Sequence, residues 1–241
     1  MLITYDVINA TQKENNIVNT ILQYIYDNYS ERLCFDRLKR MEVIDELGCE
    51  ASGECQRDTI IISRKNGLNE IESIKNIDVE IKENRKIKIL VSTIYHELWH
   101  ISTWTQYEEM YEYVLKPEDT DMYVMLSYIY WIEYIAHKET VFMECDTVMR
   151  DYCQAFVSKQ WKKMDYGYLF FIKALPYYIV RSQYLKIYED LTEEVKSTKL
   201  KAAVKDFSRT SEKIYGNQEL SAFEKAKVIE NMIRNLCEKI K

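Results

Sequence analysis

The sequence predicts an α+β fold, with a small sheet in the first third of the chain and helices after it. Three observations carry that expectation. Glycine (5) and proline (2) are scarce among 241 residues, whereas all-β folds need many turn residues. Three short segments before residue 83 have strand-like alternation or β-branched content. From Asn84 onward the apolar residues take a helical period.

Residues 12–29 (QKENNIVNTILQYIYDNY) place Ile17, Ile21, Tyr24 and Ile25 at helical spacing, which predicts an N-terminal amphipathic helix. Residues 38–47 (LKRMEVIDEL) and 58–64 (DTIIISR) read as strands, with GCEASGECQR between them as a hairpin-like connection. In residues 76–82 (NIDVEIK), Ile77, Val79 and Ile81 alternate with Asp78, Glu80 and Lys82, the pattern of a half-buried strand. The three strands are expected to pair into one mostly antiparallel sheet, with Ile77, Val79 and Ile81 facing the next helix. In that helix Ile87, Leu90, Val91, Ile94, Leu98 and Ile101 mark one face, and the pattern runs to about Tyr113. Pro117, followed by Glu118 and Asp119, reads as a helix start. No Gly or Pro follows until Gly167, so that helix is free to run to about residue 160. Pro176 should start or kink another, and two more helical stretches lie near 189–213 and 218–240.

The composition is that of an ordinary globular chain, 47% hydrophobic and 30% charged. Twenty tyrosines suit core and boundary positions where one end of the side chain is wet. A net charge of −6 argues against a dedicated nucleic-acid binder. Lys201, Lys205, Arg209 and Lys213 recur every four residues, as a solvated helix face or a basic stripe would. The N-terminus lacks the basic and apolar regions of a signal peptide, and no stretch suits a membrane span. The six cysteines form no CxxC pair, so free thiols in a reducing cytoplasm are expected.

Two of the three histidines, His96 and His100, stand in H-E-L-W-H on a segment expected to be helical. Residues i and i+4 share a helical face, so both imidazoles can reach one metal ion. Glu97 projects beside them, where it can hold the water that completes the coordination sphere. A chance HExxH is expected on the order of once in a few hundred chains so poor in histidine. A catalytic zinc needs a third protein ligand as well. Glu108, Glu109 and Glu112 follow too far along the same helix, Glu108 being about 12 Å from His100 along its axis. Thr103 and Gln106 stand where HExxHxxGxxH would need Gly and His. In residues 122–136 (MYVMLSYIYWIEYIA) only Ser127 and Glu133 are neither aliphatic nor aromatic. Such a helix is buried, and a lone carboxylate there is costly unless paired or coordinated. Glu133 is therefore the candidate third ligand, with Glu139 and Glu144 in reserve. His137 lies one turn beyond Glu133. A hydrogen bond to a ligand, stabilisation of a transition state and a place in the core are three open roles for it.

Two ligands from HExxH and a Glu on a following helix resemble the gluzincin metallopeptidases. The segment E-Y-I-A-H-K-E over 133–139 resembles the second motif of the small bacterial and phage HExxH peptidases of the repressor-cleaving kind (ImmA/IrrE-like). The resemblance covers roughly residues 35–145, with a longer gap to the third Glu and with His137 where many gluzincins have Asp or Asn. It implies a single zincin-like domain over 1–241, with a metallopeptidase core at 35–145 and a helical extension at 146–241. It also implies Zn2+ on His96, His100 and Glu133, Glu97 as general base, and a peptide or protein substrate. His137 and the tyrosines are candidates to stabilise the oxyanion. An extended substrate would add to a sheet edge, for which 76–82 is the candidate. The alternative is a non-catalytic zincin-fold protein that binds a partner, such as a transcriptional regulator.

Overall fold

The computed structural model describes residues 5–48, 51–106, 121–159 and 167–240. The chain divides into two compact units, Met1–Gln106 with Met143–Cys145, and Tyr107–Phe142 with Asp146–Lys241.

In the first unit, strand β1 (Asp6–Ile8) leads into helix α1 (Gln12–Tyr29) and then strand β2 (Arg40–Ile44). Helix α1 starts where the sequence predicts, at a reciprocal cap. The Thr11 hydroxyl accepts from the Glu14 N–H at 3.2 Å, and the Glu14 carboxylate accepts from the Thr11 N–H at 2.7 Å. Strands β3 (Gly53–Gln56) and β4 (Thr59–Ser63) follow, joined by the two-residue turn Arg57-Asp58 with Arg57 in the left-handed region (φ 58°). The sheet order is β1-β2-β4-β3.

Two expectations are corrected here. The sheet is mixed rather than mostly antiparallel, because β1–β2 and β2–β4 run parallel and only β3–β4 is antiparallel. Helix α1 supplies the crossover that a parallel β1–β2 pair requires. Between β2 and β4 the chain reverses twice, through β3, and so returns in its original direction. The connection GCEASGECQR thus contains a strand of its own.

The second correction concerns 76–82, which is helix α2 (Ile77–Glu83). Three local terms outweigh the alternation. Asn76 caps the helix by accepting from the Val79 N–H at 3.3 Å. The Glu80 carboxylate accepts from the N–H groups of Lys75 and Asn76 at 2.7 and 3.0 Å. Ile77 and Ile81, four apart, both pack on the core, whereas Val79 is 44% exposed.

Asn84 accepts from the Lys86 and Ile87 N–H groups at the start of helix α3 (Arg85–Gln106). All six residues of its expected apolar face are buried. They join Ile17, Ile21 and Ile25 of α1, Met41 and Val43 of β2, and Ile60 and Ile62 of β4 in one core. Ser102, buried in α3, accepts from the Cys34 N–H at 2.8 Å and ties the helix to the segment after α1. The expected end near Tyr113 and the start at Pro117 lie outside the described residues.

The described part of the second unit is helical: α4 (Met122–Thr140), α5 (Asp146–Lys159), α6 (Gly167–Tyr184), α7 (Tyr188–Glu193), α8 (Thr198–Tyr215) and α9 (Ala222–Ile240). The single helix expected up to residue 160 is two. Helix α4 ends in a 3-10 turn at Val141–Met143, and α5 starts at Asp146 with an acidic first turn. Pro176 lies inside α6 rather than at its start. Its missing N–H leaves the Ile172 carbonyl without its usual intrahelical donor.

Helix α4 packs on α6 and α9, and α6 also packs on α5. Tyr130, Trp131, Phe156, Ile172, Tyr178, Phe207 and Ile233 meet in the core. Its tyrosines are wired by their hydroxyls: Tyr130 to Ser211 at 2.8 Å and Tyr178 to Thr192 at 2.9 Å. Burial pushes both phenols well above their usual range, so they stay neutral hydrogen-bonding groups. No described helix is long and apolar enough to cross a membrane. Cys153 and Cys237 are buried, Cys34, Cys55 and Cys145 are half-buried, and Cys49 lies outside the described residues. Of the basic stripe on α8, Lys201 and Lys205 pair with Glu193, and Arg209 pairs with Asp206. At these three positions it is an ion-paired, solvated face.

Candidate metal centre

Helix α3 turns its apolar face into the core and leaves His96 and His100 half-buried, one turn apart. Their Nε2 atoms lie 3.0 Å apart, with the rings nearly perpendicular at 85°. Two imidazole nitrogens on one tetrahedral zinc, each at about 2.0–2.1 Å, would stand roughly 3.3 Å apart. The pair is therefore within a few tenths of an ångström of a chelating arrangement. The spacing also suits a hydrogen bond between the rings with one nitrogen protonated.

Glu97 is buried (8% exposed) and packs toward the sheet. A Cβ placed on Gly53 of β3 would stand 2.6 Å from Thr93 Cγ2 and 3.5 Å from Glu97 Cγ. Thr93 and Glu97 are four apart on α3 and share the face that meets β3. Only a glycine lets the strand approach that closely. Sequence reasoning missed Gly53, treating it as part of a connection. Its one signal is that it is among five glycines in the chain and precedes an alternating stretch.

In α4, Glu133 is a half-buried carboxylate, its side chain 22% exposed, in an otherwise apolar helix. His137 is almost wholly buried (2% exposed), with Nε2 3.7 Å from Glu133 Oε2 and its ring centroid 3.8 Å from that of Tyr177 on α6. Its position one turn beyond Glu133, expected from the spacing, gives it that carboxylate and an aromatic ring as neighbours.

Among the described residues, one group of His, Cys, Asp and Glu side chains could hold a metal ion, and it is His96, His100 and Glu133. One ligand atom from each lies within 4.8 Å of the others. Two imidazoles and a carboxylate are a donor set suited to zinc, with a coordination position left for solvent or substrate. The reserve residues are not part of this group: Glu139 accepts from the Tyr215 hydroxyl, and Glu144 is buried in the turn after α4. Comparisons with protein-family models, with curated proteins and with solved structures found no match to this chain.

Proposed function

We propose that the chain is a zinc-dependent peptidase in which His96, His100 and Glu133 hold the ion and Glu97 is the general base. The observation that carries this proposal is the grouping of the three ligand atoms within 4.8 Å, with Glu97 adjoining His96 on the same helix. When bound, zinc would acidify water and polarise the scissile carbonyl. Glu97 would take the proton of the attacking water and deliver it to the leaving amine. Gly53 lies close to its stem, a Cβ there falling 3.5 Å from Glu97 Cγ, and this limits where the carboxylate can swing, which favours a defined proton path. An oxyanion donor is also required; His137 and the tyrosines keep that candidacy.

The substrate edge proposed from sequence, 76–82, is helical and cannot serve. Strand β3 takes its place: it is an edge strand of the sheet and packs against α3, the helix that carries Glu97. An extended peptide would add its backbone alongside Gly53–Gln56. The net charge of −6 and the candidate strand edge favour a peptide or protein substrate over nucleic acid, and the absence of a CxxC pair from the sequence favours a cytoplasmic setting.

The test is the Glu97→Gln variant of the zinc-loaded chain, assayed on a library of internally quenched peptides. Gln keeps the metal, because it replaces no ligand, but cannot accept the proton. Hydrolysis should fall by roughly 100-fold or more at unchanged zinc content. Equal hydrolysis by Glu97→Gln and wild type would remove Glu97 as the general base, and hydrolysis at background by both would place the protein in the non-catalytic, partner-binding class.

A further inference from the structure

Beside Glu133 lies a layered array of rings and a guanidinium that runs from His137 through Tyr177 to Arg181. Tyr177 of α6 packs on His137 at a centroid distance of 3.8 Å and a tilt of 54°. The Arg181 guanidinium, one turn further along α6, lies 5.1 Å from the Tyr177 ring centroid and 4.8 Å from that of Tyr152 on α5. The two tyrosine rings are themselves 5.6 Å apart. A guanidinium placed against two rings at these distances is held by cation–π attraction, and it holds the rings in return. Tyr177 is thereby fixed from one side and presses on His137 from the other.

His137 is a polar neighbour of Glu133, with Nε2 3.7 Å from Oε2. An imidazole so tightly packed has little rotamer freedom, and the carboxylate beside it inherits that restriction. We infer that Arg181, Tyr177 and His137 form a positioning stack that aims the Glu133 carboxylate at the metal. The inference rests on the reading of Glu133 as a ligand. It goes beyond that reading in assigning Tyr177 and Arg181 a role in metal affinity, although neither can be a zinc ligand. In this stack each of the three acts through Glu133. Residues that orient a metal ligand from outside typically change metal affinity by about 10–100-fold when removed.

The experiment measures the zinc dissociation constant of the full chain by competition with a chromogenic chelator, alongside circular dichroism of each variant. Tyr177→Ala should bind zinc about 10–100-fold more weakly. Tyr177→Phe keeps the ring and should stay within about 3-fold of wild type, since the ring and not the hydroxyl does the positioning. Arg181→Met keeps the stem and removes the cation, so a loss between these two is expected. It also carries the test if Tyr177→Ala fails to fold. With Co2+ in place of zinc, the visible absorption of Tyr177→Ala should differ from wild type, and a variant that merely loosens the fold would leave it unchanged. Glu133→Ala is the control that separates the two levels of the account. Weaker zinc in Glu133→Ala, with unchanged zinc in Tyr177→Ala and Arg181→Met, overturns the positioning stack and leaves the ligand assignment standing. Unchanged zinc in Glu133→Ala overturns both.

Discussion

Helices α3 and α4 carry the candidate ligands in opposite ways. In α3 the chemistry sits on the margin of an amphipathic helix. Six buried apolar residues anchor one face, and His96 and His100 stand half-buried beside it. In α4 nearly the whole circumference is apolar, and Glu133 is an acid set among Tyr130, Trp131, Ile132, Tyr134 and Ile135, all buried. The first arrangement costs little, because a half-exposed imidazole keeps part of its hydration. The second puts a carboxylate where desolvation opposes its charge, so it needs a counter-charge, a hydrogen bond or a metal. A motif therefore announces the site in α3, and a violation of the local composition announces it in α4.

The largest expected effect separates these two cases directly. His100→Ala and Glu133→Leu should each weaken zinc binding on the order of 100-fold, since each removes one ligand of three. Their metal-free forms should differ in thermal denaturation. Glu133→Leu removes a costly carboxylate from an apolar helix and should raise the melting temperature, as loss of a strained functional group often does. His100→Ala should leave it unchanged or slightly lower. A fall in both would mean that Glu133 is a structural acid.

A mid-sized effect concerns the α3–β3 contact. Gly53→Ala introduces a Cβ that would stand 2.6 Å from Thr93 Cγ2, and overpacking of this kind costs about 1–3 kcal/mol. Thr93→Ser removes that methyl, so the double variant should recover most of the loss in chemical denaturation. If the two changes add without compensation, the strand does not approach the helix as described.

The smallest effect lies at the start of α1. Arg64 binds both the Glu14 carboxylate, at 2.6 Å, and Asp45. Burial opposes ionisation of Glu14, but Arg64 and Thr11 together outweigh it and hold the carboxyl below its usual range. A depressed folded pKa means stability that is present above the unfolded pKa of about 4.3 and lost as pH falls through the folded value. Arg64→Met should lower stability near neutrality. The gap to wild type should close progressively on acidification below about pH 4. A gap independent of pH would assign the loss to packing.

What could be read from sequence follows from whether the decisive interaction is local. Helix α1 was legible to the residue because its cap, Thr11 with Glu14, and its apolar period agree. The buried face of α3 was legible for the same reason. Segment 76–82 misled because a strict alternation of seven residues also satisfies an i, i+4 pair of isoleucines. The cap at Asn76 and the carboxylate of Glu80 then decide for helix. Strand direction was not legible: it depends on the crossover through α1 and the double reversal through β3, neither of which leaves a pattern in any one segment. The break at Val141–Met143 carries no Gly or Pro, so nothing in the sequence marks it. At the candidate site, His96, Glu97, His100, Glu133 and His137 were all named from sequence. Gly53 and Tyr177 were not, since their importance lies in contacts made across distant segments.

The central claim, that His96, His100 and Glu133 hold one zinc, is tested most directly by X-ray absorption at the zinc edge on the purified chain. One zinc per chain is expected, with a first shell of nitrogen and oxygen at about 2.0–2.2 Å and two imidazoles in the outer scattering. The first shell should lose one nitrogen in His100→Ala. Sulfur scatterers at about 2.3 Å, or a chain that takes up no zinc, would contradict it.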